Sequence, residues 1–109
     1  MALPLREMLT TMVEEDGADL YLSVGARPTL RTGAGISELG ETVLTPADTE
    51  AYCKEILDDR QLGEFLLTRE MNLAFGLAGL GRFRTNIFMQ RGVVSLVIRQ
   101  VRLDIPTIE

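Results

Sequence analysis

The sequence predicts an α+β domain: one antiparallel sheet of about six strands with helices on one face. Three observations predict it. Apolar residues near the start recur at helical spacing, and a Thr-Pro-Ala-Asp signal opens a second helical region in mid-chain. The last third reads as three strands joined by short turns, which forces them antiparallel. A sheet covered on one side by helices is the economical way to bury both. The predicted order is α-β-β-β-α-α-β-β-β.

Each element has its own signal. Over 4–15, Leu5, Met8, Leu9, Met12 and Val13 form one apolar stripe, and Pro4 suits a first turn. Asp16-Gly17 ends that helix. Over 18–23, Leu20 and Leu22 alternate with Asp19, Tyr21 and Ser23, the pattern of a strand with one apolar face. A turn over 25–28 leads into a second strand, PTLRT. Gly33-Ala34-Gly35 turns again into a short third strand over 36–39.

Thr45 is the expected N-cap of the next helix, with Pro46 at its first position and Asp48 in its first turn. Tyr52, Cys53, Ile56 and Leu57 give its apolar face. Asp58 or Asp59 caps a further short helix reaching about 68, expected to bury Leu62, Phe65 and Leu66. Strands over 71–77, 82–90 and 93–101 complete the order. The closing LDIPTIE contains a proline and reads as a linker, so the domain is expected over 1–102 and the linker over 103–109.

Composition removes several function classes. A length of 109 residues suits one domain. The longest apolar runs, such as VVSLVI, fall far short of the ~20 residues of a membrane span, so no direct membrane insertion is expected. Glu7 interrupts the start, where a signal peptide would be apolar, which favours a cytoplasmic location. Cys53 has no second cysteine to bridge, which fits a reducing compartment. A net charge of −5 argues against nonspecific nucleic-acid binding.

The chain has no histidine, hence no Ser-His or Cys-His pair and no imidazole metal ligand; no metal site is expected. The one lysine, Lys54, stands in Cys-Lys-Glu and not in a phosphate-loop motif. Gly33, Gly35, Gly76, Gly79 and Gly81 read as turn glycines, because none follows a strand and opens a helix. The acid runs Glu14-Glu15-Asp16 and Asp58-Asp59 lie at helix ends, where solvated carboxylates are usual.

Charge is segregated along the chain. Residues 71–103 hold five arginines (Arg82, Arg84, Arg91, Arg99, Arg102) and no acid. The first 70 residues hold fourteen acids against six bases, a net of −8. If Arg91-Gly92 is a two-residue hairpin turn, Gln90 pairs with Val93 and the register is set. Phe83, Thr85, Ile87 and Met89 then share the core face with Val94, Leu96, Ile98 and Gln100. Arg82, Arg84, Asn86 and Phe88 share the other face with Ser95, Val97, Arg99 and Val101.

Arg84 and Arg99 become direct cross-strand partners in that register. Like charges so placed repel. At about 5 Å the repulsion is about 3 kcal/mol for an effective dielectric near 20, and below about 1 kcal/mol in bulk water. An anion bridging the two guanidinium forks would relieve it, and phosphate has the matching geometry. The plainer reading is that acids of the helices, such as Asp58, Asp59 or Glu64, neutralise them. Tyr21, on the polar face of the first strand, either meets water or lines a pocket.

GADLYLS, RPTLR, GLGRFRTNIFMQRG, LVIR and the closing IPT together resemble the N-terminal domain of the pilus retraction ATPases of twitching motility, the PilT/PilU family of the secretion ATPase superfamily. The resemblance runs over 8–107, and GRFRTNIFMQRG is its most specific part. It implies a PAS-like domain followed, in family members, by a RecA-like motor domain that this chain stops short of. ATP, with Mg, would be bound mainly by that missing motor domain, and the chain alone is expected to be inactive and to hold no cofactor tightly.

The resemblance also assigns residues. The family's phosphate-sensing positions, an R-x-R-like strand motif and the arginine ending the next strand, fall on Arg84 and Arg99. Both are expected to act as arginine fingers, with Arg91 a further nucleotide contact and Arg82 or Arg91 open to subunit contacts. The implied partners are the chain's own and neighbouring motor domains in a homohexameric ring, and the pilus machinery at the inner membrane. Two departures stand out: Tyr21 replaces a frequent histidine, and Gly33-Ala34 a frequent Asp-Gly. Two readings of a different kind are a PAS-like sensor with a small-ligand cavity and a protein-interaction module without nucleotide.

Overall fold

The computed structural model describes residues 2–101. The elements run α1 (Leu5–Glu14), β1 (Asp19–Leu22), β2 (Thr29–Thr32), β3 (Gly35–Glu38), α2 (Pro46–Ile56), α3 (Asp59–Thr68), β4 (Glu70–Leu77), β5 (Gly81–Gln90) and β6 (Val93–Val101). This is the α-β-β-β-α-α-β-β-β order that the sequence predicts. The linker expected at 103–109, and Arg102, lie outside the described residues.

One six-stranded sheet has the order β3-β2-β1-β6-β5-β4. Every neighbouring pair is antiparallel. The first strand of the chain therefore lies beside the last, at the centre of the sheet. Local hairpins build each half, and the β1–β6 pairing joins the halves.

The apolar stripe of α1 buries Leu5, Met8, Leu9 and Met12. These pack with Leu20, Leu22 and Leu30 of the first half-sheet and Phe83, Ile87, Leu96 and Ile98 of the second. Tyr52 and Cys53 of α2, and Phe65 of α3, close the same core. The core thus lies on one face of the sheet, and the opposite face is left for solvent. Gly17 marks a close approach at the α1–β1 junction: a Cβ there would stand 2.6 Å from Leu30 Cδ1 and 3.2 Å from Met12 Cγ.

Caps set the helix starts. Thr45 and Asp48 form a capping box at α2, and Asp58 does so with Gln61 at α3. Pro4 serves as the N-cap of α1 and not as part of its first turn. One expectation fails on α3. Leu66 is 59% exposed, and Leu62 is only half-buried. The helix seats Phe65 alone in the core; Leu66, a further 100° round the axis, falls on the rim of an open cleft between α2 and α3, lined also by Lys54, Leu62 and Met89.

The β5–β6 hairpin has the anticipated register, with Gln90 opposite Val93 and Arg84 opposite Arg99. Arg91 (φ 54°) and Gly92 (φ 81°) are both left-handed. That is the geometry of a type I′ turn, whose twist matches the flanking strands.

Candidate functional site

Antiparallel pairing lines up one row of side chains across the solvent face. Ala74 pairs with Arg84, Arg84 with Arg99, Arg99 with Asp19, Asp19 with Arg31, and Arg31 with Ile36. Three arginines and one aspartate stand side by side, a net of +2. A parallel row two residues along holds Asn72, Asn86, Val97 and Tyr21.

Asp19 is the buried member of the row. Its side chain is only 2% exposed, while those of Arg31 and Arg99 are 49% and 70% exposed. Its short carboxylate sits at the sheet surface beneath the longer arginines. Arg31 Nε donates to Oδ2 at 2.8 Å, and Arg31 Nη2 donates to the same oxygen. Arg99 Nε donates to Oδ1 at 3.1 Å. Burial pushes the carboxyl pKa up, but the hydrogen bonds and charges of Arg31 and Arg99 outweigh it and hold Asp19 below the usual carboxylate range. The Arg31 guanidinium is held above its ordinary value, by Asp19 first and then by Tyr21.

Arg84 and Arg99 border a cavity of about 290 Å³ on this face, lined also by Asn72, Thr85, Asn86 and Val97. Asn86 Oδ1 is buried there with no hydrogen-bond partner among the described residues. Among the described residues Arg84 has no acidic partner. An oligophosphate fits this setting chemically: two guanidinium groups, amide side chains beside them, and a positive local field.

The structure therefore brings Arg84 and Arg99 together and keeps both on the solvent face. Arg91 is not brought to them. It lies at the hairpin tip by Ser23, Val24 and Gln90, about 20 Å along the strand from Arg84. Arg82 shares their face, opposite Val101. The acids expected as neutralisers do not serve: Asp58 caps α3, and among the described residues neither Asp59 nor Glu64 pairs with these arginines. Asp19 takes that role, for Arg99 only. Its alternation pattern put it on the polar face, but the β1–β6 pairing that aligns it with Arg99 spans 80 residues and carries no local turn signal.

Other reactive groups belong to the core. The Tyr52 hydroxyl donates to the Leu3 carbonyl at 2.6 Å, and its pKa is pushed up to about 12 by burial, with Asp48 and Glu55 adding to the effect. Burial likewise pushes the Cys53 thiol up. Among the described residues no cluster of histidine, cysteine or acids could hold a metal ion. None of the described helices is long and apolar enough to cross a membrane.

No family model matches the chain. It is 32% identical over 103 residues to the type IV pilus ATPase PilU of Pseudomonas aeruginosa, covering 94% of this chain and 27% of that protein. It is 27% identical over 105 residues to the type IV pilus retraction ATPase PilT of the same organism, covering 96% and 30%. The crystal structure of the pilus retraction motor PilT with bound ADP superposes with a TM-score of 0.85 at 30% identity, over 95% of this chain and 31% of that one. The Legionella pneumophila ATPase DotB shares the fold, with a TM-score of 0.75 at 12% identity, over 90% and 28%. The chain thus spans less than a third of the length of each of these proteins.

Proposed function

From the chain's homology to the N-terminal region of the type IV pilus ATPases PilU and PilT, we propose that it is the regulatory and assembly domain of a hexameric pilus-retraction ATPase. The carrying observation is the Arg84–Arg99 register pair, exposed on one face beside a cavity that suits phosphate. A motor domain would hold ATP with Mg; this domain would close over it with Arg84 and Arg99.

The chemistry required of the two arginines is electrostatic. In phosphoryl transfer, charge spreads over the outer oxygens of the transferred group, and a positioned guanidinium stabilises it. Two forks on adjacent strands offer that stabilisation from a rigid support. Closure and opening of the domain would couple hydrolysis to ring deformation, in a head-to-tail ring where each domain also packs on its neighbour's motor domain. Arg91, at the far tip, is assigned to that neighbouring surface. The complex would work in the cytoplasm, at the inner-membrane pilus machine, driving twitching motility.

The test uses the protein that joins this domain to its motor domain. Arg84→Ala and Arg99→Ala are each expected to lower kcat about 100-fold, with a smaller effect on ATP affinity. Wild-type turnover in both variants would remove the phosphate-sensing role. Variants that assemble poorly but hydrolyse normally once assembled would instead favour an interaction module.

A further inference from the structure

We infer that Asp19 is a positioning residue that presents Arg99 to an oligophosphate; this rests on reading Arg84 and Arg99 as phosphate contacts. Each carboxylate oxygen has its own arginine: Oδ2 is taken by Arg31 and Oδ1 by Arg99. The grip on Arg99 is at Nε. Its terminal nitrogens, Nη1 and Nη2, carry no hydrogen bond among the described residues. They are the pair of donors that matches two phosphate oxygens.

Asp19 does not line the cavity that Arg84 and Arg99 border. It acts through Arg99 and is not itself a ligand contact. An acid beside an anion site would ordinarily weaken it by repulsion. Arg31 offsets that charge, so the row keeps a net of +2 while Arg99 gains a fixed orientation. A free arginine would have to be ordered by the ligand at the moment of binding. Here the ordering is already in place before an anion arrives.

Two accounts of Asp19 differ in sign, which makes the inference testable. If charge alone matters, Asp19→Asn raises the row to +3 and tightens anion binding. If orientation matters, the same change weakens it, by about five-fold for one side chain left to be ordered. The probe is inorganic tripolyphosphate titrated into the 109-residue chain by calorimetry at low salt. Asp19→Asn with Arg31→Gln restores the row to +2 without the carboxylate and is expected to stay weak.

A second readout needs no ligand and does not depend on Asp19→Asn. In the wild-type chain, the Arg99 Nε proton is expected to be resolved by nuclear magnetic resonance and slow to exchange with water. Arg31→Gln alone is expected to keep that protection, because Oδ1 still holds Arg99; this remains informative even if Asp19→Asn does not fold. Free exchange in the wild type, or tighter tripolyphosphate binding in Asp19→Asn, would overturn the inference. A wild-type chain that protects the proton yet takes no tripolyphosphate would overturn the phosphate reading beneath it, and the use assigned to the clamp with it.

Discussion

Asp19 and Arg99 stand opposite each other on β1 and β6, 80 residues apart in sequence, and are joined by a 3.1 Å hydrogen bond. The contact spans the seam between the two half-sheets. It links a fold-level event, pairing of the first strand with the last, to the orientation of a candidate phosphate ligand.

That contact has a pH signature. The folded-state pKa of Asp19 lies below its ordinary value of 3.8. Its stabilisation is therefore fully present above the unfolded value, and is lost as pH falls through the lower folded one. At pH 7, Asp19→Asn should cost about 2 kcal/mol: the lost hydrogen bonds are to charged groups, but both arginines are exposed to solvent and screened. The difference in Tm between wild type and variant should shrink as the pH drops below about 4. A difference constant from pH 7 to pH 2 would show that Asp19 acts without its charge.

The helix α3 separates what packs from what only looks apolar. Phe65→Ala should cost about 3–5 kcal/mol, since its ring fills the core. Leu67→Ala, at a position 86% exposed, should change stability by less than about 0.5 kcal/mol. Leu66→Ala should cost less than about 1 kcal/mol. Denaturant melts of the three variants check the ranking. A Leu66 cost near that of Phe65 would mean that the α2–α3 cleft is closed in solution.

The failed expectation for Leu66 marks where local pattern runs out. Helical spacing says which residues share a stripe, but not how wide a stripe the neighbouring elements can cover. The β5–β6 register was legible to the residue, because a two-residue turn at Arg91-Gly92 and strict alternation from Phe83 to Met89 leave one solution. That alone predicted the Arg84–Arg99 pair. Arg31 and Asp19 were legible as members of strands, yet not as parts of one row with Arg99, in which Asp19 stands between the two arginines. Their alignment depends on the order of strands in the sheet, which periodicity does not encode.

The hairpin turn holds room for improvement. Arg91 adopts φ 54°, where a side chain other than glycine, asparagine or aspartate is disfavoured. Arg91→Asn should stabilise the chain by about 0.5–1 kcal/mol, raising Tm by roughly 2–8 °C. It should leave tripolyphosphate binding unchanged, since the tip lies far along the strand from Arg84. Weaker binding in this variant would bring Arg91 back into the nucleotide site.

The Arg84–Arg99 pair should trade stability for binding. Arg99 has Asp19; Arg84 has no acidic partner among the described residues and faces a like charge across the ladder. Both side chains are exposed, so solvent holds the repulsion to below about 1 kcal/mol. Arg84→Met in the ligand-free chain should therefore be neutral or stabilising by up to about 1 kcal/mol, and added salt should narrow the gap by screening the wild-type pair. With tripolyphosphate the order should reverse: the wild type gains Tm by mass action and the variant gains little. Thermal melts of both proteins, with and without the anion and at two salt concentrations, test this. A variant destabilised without ligand would show that Arg84 supports the fold by packing, and that repulsion does not govern its place in the row.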